Sequence, residues 1–147
     1  MKLLICLFLL AMPAVASAAE TAAIESAPVL SQTEKSIFQF LDDWALAWHN
    51  QALNAYLGFY AKDFTPENGL SLAQWRAQRQ QRLLAANFVQ IQMIAPQITR
   101  LHGENATVQF VQKYRSNQLQ DQTLKTLQLI REQGRWKILR ESTAPIS

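Results

Sequence analysis

The hydrophobic pattern of this chain changes period once, at Asn87, and that change limits the fold more than any other feature. Before Asn87, apolar residues recur at helical spacing. Ile37, Phe38, Leu41, Trp44, Ala45 and Trp48 mark an amphipathic helix that ends near His49-Asn50. Thr33 is its predicted N-cap, with Ser36 in the place of the capping-box acid. Leu53, Tyr56, Leu57 and Tyr60 share one face of a second, short helix. Residues Asp63 to Leu70, with Pro66 and Gly69, read as a turn-rich loop. Ser71 caps a third helix, Leu72 to Ala86, dense in Gln and Arg, with Trp75, Arg79 and Arg82 along one side.

After Asn87 the period is 2. Phe88 to Leu101 reads as a strand broken at Pro96, because proline is tolerated only at an edge or a bulge. His102 to Asn105 is a hairpin turn, and Ala106 to Ser116 a long strand. Asn117 to Asp121 turns, Thr123 to Glu132 is a strand, Gln133-Gly134 turns again, and Arg135 to Ser142 is the last strand. Helices followed by consecutive hairpin-linked strands give an α+β fold: three N-terminal helices packed on one face of an antiparallel sheet.

The N-terminus carries a separate signal. Met1-Lys2 is a short positive region, Leu3 to Met12 is apolar, and Pro13 to Ala19 supplies small residues for cleavage after Ala18 or Ala19. A bilayer span needs roughly 20 apolar residues, which this run lacks. The expectation is a cleavable signal peptide over 1–18, a flexible leader over 19–33, one domain over 34–142 and a tail over 143–147, in a chain exported to the periplasm. Cys6 is the only cysteine, and it lies inside the apolar run. A mature chain therefore offers neither a disulfide nor a thiol nucleophile. The formal charge of +3 falls to +2 without Lys2, too little for nucleic-acid binding, and no later run is apolar enough to span a membrane.

In the strand Ala106–Ser116, Val108, Phe110, Gln112, Tyr114 and Ser116 share one face, and Thr107, Gln109, Val111, Lys113 and Arg115 the other. The first face turns polar toward Ser116, as a face lining a pocket would. Several segments together resemble a known group. They are Phe40-Leu41 with Trp44 and Trp48, Tyr56-Leu57 with Phe59-Tyr60-Ala61 and Asp63-Phe64, and Gly69-Leu70-Ser71 with Trp75, Arg79 and Arg82. Val108 to Ser116, Lys125-Thr126-Leu127 with Leu129, and Gly134 with Trp136-Lys137-Ile138 and Glu141 complete the set. This pattern resembles the nuclear-transport-factor-2-like (SnoaL-like, cystatin-like) domain at the C-terminus of Gram-negative L,D-transpeptidases of the cell-shape-determinant type. The resemblance implies a cone, in which three helices wrap a strongly curved antiparallel sheet and leave a cavity at the wide end. The catalytic transpeptidase domain, with its Cys and His, has no counterpart here. An acidic residue frequent in the group after the first helix is replaced by Gln51-Ala52-Leu53-Asn54.

Chemistry-bearing residues are few. His49 and His102 are isolated from each other and from any acidic cluster, so no metal site is expected, and no cofactor motif is present. Asp42-Asp43 flanks core positions of the first helix, and Glu141 has Lys125 or Arg79 as prospective partners. A polar-aromatic set remains: Trp75, Arg79, Gln112, Tyr114, Ser116 and Lys125, joined by Tyr56, Tyr60, Trp48 and His49. Aromatic faces stack on sugar rings, and cations bind carboxylates with directed hydrogen bonds. The leading expectation is a non-catalytic ligand-binding or accessory module of the cell envelope, with a small anionic or glycan-like ligand or an envelope protein as partner. One alternative is a small isomerase or hydrolase with His49 or Tyr114 as proton carrier. Another is a homodimer using the Gln109, Val111, Lys113 and Arg115 face. The binding reading needs an open cavity, and a cone filled by Trp75, Tyr114 and Phe110 leaves only an interaction surface.

Overall fold

A computed structural model describes residues 29–146. The expected signal peptide, its cleavage site, Cys6 and most of the leader lie outside the described residues. The element order is α1 (Gln32–His49), α2 (Leu53–Gly58), β1 (Tyr60–Thr65), α3 (Leu72–Ala85), β2 (Val89–His102), β3 (Asn105–Ser116), β4 (Gln120–Glu132) and β5 (Arg135–Pro145). The five strands form one open sheet in the order β1-β5-β4-β3-β2. Strands β2 to β5 are an antiparallel meander, and β1 joins the β5 edge in parallel. The α+β architecture expected from the change of period is present. Among the described residues, no helix is long and apolar enough to cross a membrane.

Two boundaries differ from the sequence expectation. Helix α1 is capped by Ser31, not Thr33. The Ser31 hydroxyl accepts from Glu34 N, and the Glu34 carboxylate accepts from Ser31 N, a complete capping box. The second difference is β1. Tyr60 does not continue α2 but opens a strand that lies on Ile138 and ends at Thr65 on Arg140. The region expected to be loop from Asp63 is therefore strand for three more residues.

The core forms where α1 crosses the sheet. Ile37, Phe40, Leu41, Trp44, Ala47 and Trp48 are buried, at the i, i+3, i+4 and i+7 spacing of one helical face. They meet the inward row of β3: Ala106, Val108, Phe110, Gln112 and Tyr114. Trp44 packs edge-on against Trp48 at 5.3 Å and against Phe110 at 6.1 Å. Pro96 sits at a bulge of the edge strand β2, where the pairing skips from Ile94 to Gln97 and Ala95 has a φ of 49°. The bulge bends the strand.

Helix α3 is held differently. It starts with a second capping box, Ser71 with Gln74. It buries only Trp75 and Leu83. Its C-terminal carbonyls are taken by a distant side chain, since Gln51 Nε2 donates to Leu83 O and to Ala86 O. Gln51, in the segment that follows α1, thus closes the far end of α3.

Candidate functional site

The inward face of the sheet is apolar at one end and polar at the other, as the pattern of β3 implies. On β4 the inward residues are Lys125, Leu127 and Leu129. On β5 they are Trp136, Ile138 and Glu141. Strict alternation from Ile138 would send Glu141 outward. The β4–β5 register passes from Leu129↔Ile138 to Gln128↔Arg140, leaving Leu139 without a partner. That bulge shifts the parity and turns Glu141 inward, opposite Leu127.

Glu141 becomes the hub of a buried network. Arg79 Nη2 donates to its Oε1 across 2.6 Å, and Trp75 Nε1 donates to the same oxygen at 3.4 Å. Tyr60 donates to Oε2 at 3.3 Å, and Tyr56 donates to Tyr60 at 2.7 Å. Lys125 Nζ stands 3.7 Å from Oε2. The Arg79 guanidinium also lies 5.5 Å from the Trp75 ring and 5.9 Å from the Trp48 ring. Its side chain is 14% exposed, against 4% for Lys125, so Arg79 closes the network from outside.

Burial raises the affinity of the Glu141 carboxyl for its proton. The Lys125 ammonium, the Arg79 guanidinium and the hydrogen bonds from Arg79 and Trp75 outweigh it and hold Glu141 below the ordinary carboxylate value. Burial dominates at Lys125 and lowers it, against the pull of Glu141. Burial also raises both Tyr56 and Tyr60. The network therefore holds two cations on one ionised carboxylate. A carboxylate saturated by donors is a poor proton acceptor, so Glu141 is not poised as a general base.

The structure sorts the expected site residues into three groups. Trp75, Arg79, Lys125, Tyr56, Tyr60 and Trp48 come together in the network around Glu141, which sequence reasoning had only as a partner of Lys125 or Arg79. Gln112 is buried on the same face, and its Oε1 has no hydrogen-bond partner, like Thr123 Oγ1 across the strand pair. Tyr114 and His49 lie elsewhere, on an open cleft. Ser116 belongs to neither group. Its hydroxyl accepts from Gln118 N and Leu119 N and closes the β3–β4 turn.

The interior of the cone is not the open space. Phe110, Trp75 and Tyr114 are buried and fill it. A cleft of about 840 Å³ opens at the β3–β4 end of the sheet. Tyr114 and Ile91 contribute from the inward face and His49 from the end of α1. Lys113 and Arg115 contribute from the outward row, with the amides of Gln90, Gln92, Gln120 and Gln122 and the carboxylate of Asp121. The Tyr114 ring lies 5.8 Å from Trp48, which lies beside Arg79, so the cleft wall and the buried network are in continuous contact. His49 is exposed. Among the described residues, no group of His, Cys, Asp and Glu is placed to hold a metal.

Solved structures share this architecture. Bd1075 of Bdellovibrio bacteriovorus superposes with a TM-score of 0.71 at 24% identity, over 80% of this chain and 44% of that one. The helical cell shape determining protein Pgp2 of Campylobacter jejuni gives 0.66 at 21% identity, over 79% and 43%. An NTF2-like protein of unknown function from Pseudomonas putida gives 0.66 at 13% identity, over 78% and 88%. The chain thus spans less than half the length of the first two. No curated protein matches it. Residues 36–142, which hold the Glu141 network and the cleft, match the Cds6 C-terminal NTF2-like domain, and the chain belongs to that family.

Proposed function

We propose that this domain is an exported, non-catalytic ligand-binding or accessory module of the cell envelope that takes a small anionic glycan or peptide fragment. The cone interior, where the binding reading looks for its cavity, is filled by Phe110, Trp75 and Tyr114, so the reading moves to the open cleft beside Tyr114, which carries it. It offers two cations, Lys113 and Arg115, neither with a carboxylate in ion-pair range among the described residues, amide side chains on two strands, and one aromatic ring. Amides and a ring suit sugar hydroxyls and sugar faces, and the cations suit a carboxylate. The apolar run Leu3–Met12 and the small residues after it support export. Pgp2, described as a helical cell shape determining protein, supports an envelope setting.

The fold also serves isomerases and dehydratases. An enzyme reading needs a proton carrier facing substrate. His49 and Tyr114 are the groups on the cleft that fit the role, whereas Glu141 is sealed away from it. A thermal-shift screen with muropeptides and small carboxylates separates the readings. Stabilisation of the parent chain, lost in Lys113→Ala/Arg115→Ala, supports binding in the cleft. A ligand consumed during incubation, with His49→Gln inactive, favours the enzyme. No shift with any ligand favours a protein-interaction role.

A further inference from the structure

A second concave site lies at the other end of β4. Strand β4 runs from the cleft at Gln120–Gln122 to Arg131, roughly 30 Å away at strand rise. There, α1, α2 and the β4–β5 hairpin enclose a groove of about 640 Å³. Its floor is aromatic: Phe40 and Phe59 meet edge-on at 5.5 Å, and Trp136 is pinned by its indole N–H donating to Ser36 Oγ at 3.0 Å. Its rim is basic, with Arg131, Arg135 and Lys137.

These cations are not used by the fold as ion pairs. Among the described residues, the ion pairs are those of Glu141. Lys137 donates to a backbone oxygen, Gly58 O. Arg131 stacks over the Trp136 ring at 4.8 Å, and its Nε is buried without a hydrogen-bond partner. The one acid in the groove, Asp43, already accepts from the Gln39 amide. The hairpin that presents the rim is stiff, since Gln133 and Gly134 both take positive φ, 50° and 76°, as a type I′ turn requires.

We infer that this groove docks an acidic peptide segment of a partner protein, with an apolar side chain on the Phe40–Phe59–Trp136 floor and carboxylates on Arg131 and Arg135. A desolvated aromatic floor inside a charged rim is the usual anatomy of a protein-binding hot spot. Charge complementarity selects the occupant, because three unpaired cations surround one committed acid. The Arg131 side chain is half-buried, and the part of its guanidinium beyond the sealed Nε offers N–H donors to a carboxylate. The inference does not depend on the cleft at the opposite end.

Fluorescence anisotropy of a labelled peptide, Glu-Asp-Leu-Phe-Asp-Glu, against the expressed chain tests it. Arg135→Glu, an exposed substitution, is expected to weaken binding about tenfold or more, since it sets a like charge against the carboxylates of the peptide. Arg131→Gln is expected to weaken it too, and circular dichroism melts check that both variants fold. Arg76→Glu on the exposed side of α3 makes the same charge change elsewhere and is expected to leave binding unaltered. The inference is overturned by no peptide binding, by equal binding of the Gln/Asn analogue, or by an equal loss in Arg76→Glu. It is also overturned if phosphatidylglycerol vesicles bind at this rim and the peptide does not. A dimer in sedimentation that Arg135→Glu dissolves, without peptide binding, overturns it as well.

Discussion

The Arg79 guanidinium donates to Glu141 Oε1 across 2.6 Å and so ties α3 to the last strand of the sheet. Among the described residues, Glu141 is the only anion in ion-pair range of Arg79 and Lys125. Glu141→Gln keeps the volume but leaves two cations buried together. Breaking a buried pair from one side costs about 3–5 kcal/mol. Urea unfolding is expected to show a loss of that order, partly recovered in Glu141→Gln/Lys125→Met, where one stranded cation is removed. A loss under about 1 kcal/mol, the range of a surface pair, would mean that the network is open to solvent.

The same carboxylate sets an acid limb. Burial would raise Glu141, but Lys125 and Arg79 together hold it below its ordinary value of 4.5 in the fold. A group lowered by folding contributes stability that is complete above its unfolded value and disappears as pH falls through the folded one. The parent chain is therefore expected to lose stability progressively below about pH 4.5. Glu141→Gln should lose less over the same window. Lys125 acts with the opposite consequence. Burial lowers it, so its cost to stability is relieved as pH rises from its folded value toward 10.5. Lys125→Met is expected to flatten that alkaline rise, as melts between neutral pH and pH 10 would show.

How far the sequence discloses this network can be followed residue by residue. The parity of β3 places Gln112 and Tyr114 inward, because alternation is a local property of one strand. Trp75 and Arg79 share a helix face for the same local reason. Ser116 fails because β3 ends there and its hydroxyl serves the turn. Glu141 is hidden by the bulge at Leu139, which no alternation rule foresees. Strand β1 is hidden because its pairing partner is β5, far along the chain, while Tyr60 also fits the helical spacing from Tyr56. The cap shifts from Thr33 to Ser31 because Ser31-x-x-Glu34 offers both halves of a capping box, whereas Thr33 offers one. Whether the cone is open or filled depends on where α3 lays Trp75, a tertiary outcome.

Two of the three tyrosines are locked into the network. Tyr56 and Tyr60 are raised chiefly by burial, with the Glu141 charge adding to both. Ultraviolet titration of the folded chain is expected to leave these two phenols un-ionised until alkali unfolds the protein. Tyr60→Phe should remove amplitude only from that late step. The same variant deprives Tyr56 of its acceptor and Glu141 of a donor, at about 1–3 kcal/mol. Early ionisation of Tyr56 and Tyr60 would show that the network is wet.

Access to the network depends on α3. This helix buries only Trp75 and Leu83, and it is fastened by Arg79 at the sheet, by Gln51 at its C-terminus and by Ser71 at its N-terminus. Strands β3 and β4 are paired along their whole length. Local opening is drawn from elements with few buried contacts, so α3 should exchange its amides faster than β3 and β4. Ser71→Ala removes the cap at about 1 kcal/mol. Hydrogen exchange read by mass spectrometry is expected to show that loss confined to α3, with the strands unaffected. If α3 and β3 exchange together in the parent chain, α3 does not open by itself. The Glu141 network is then a fixed part of the core rather than an interior that the cleft can reach.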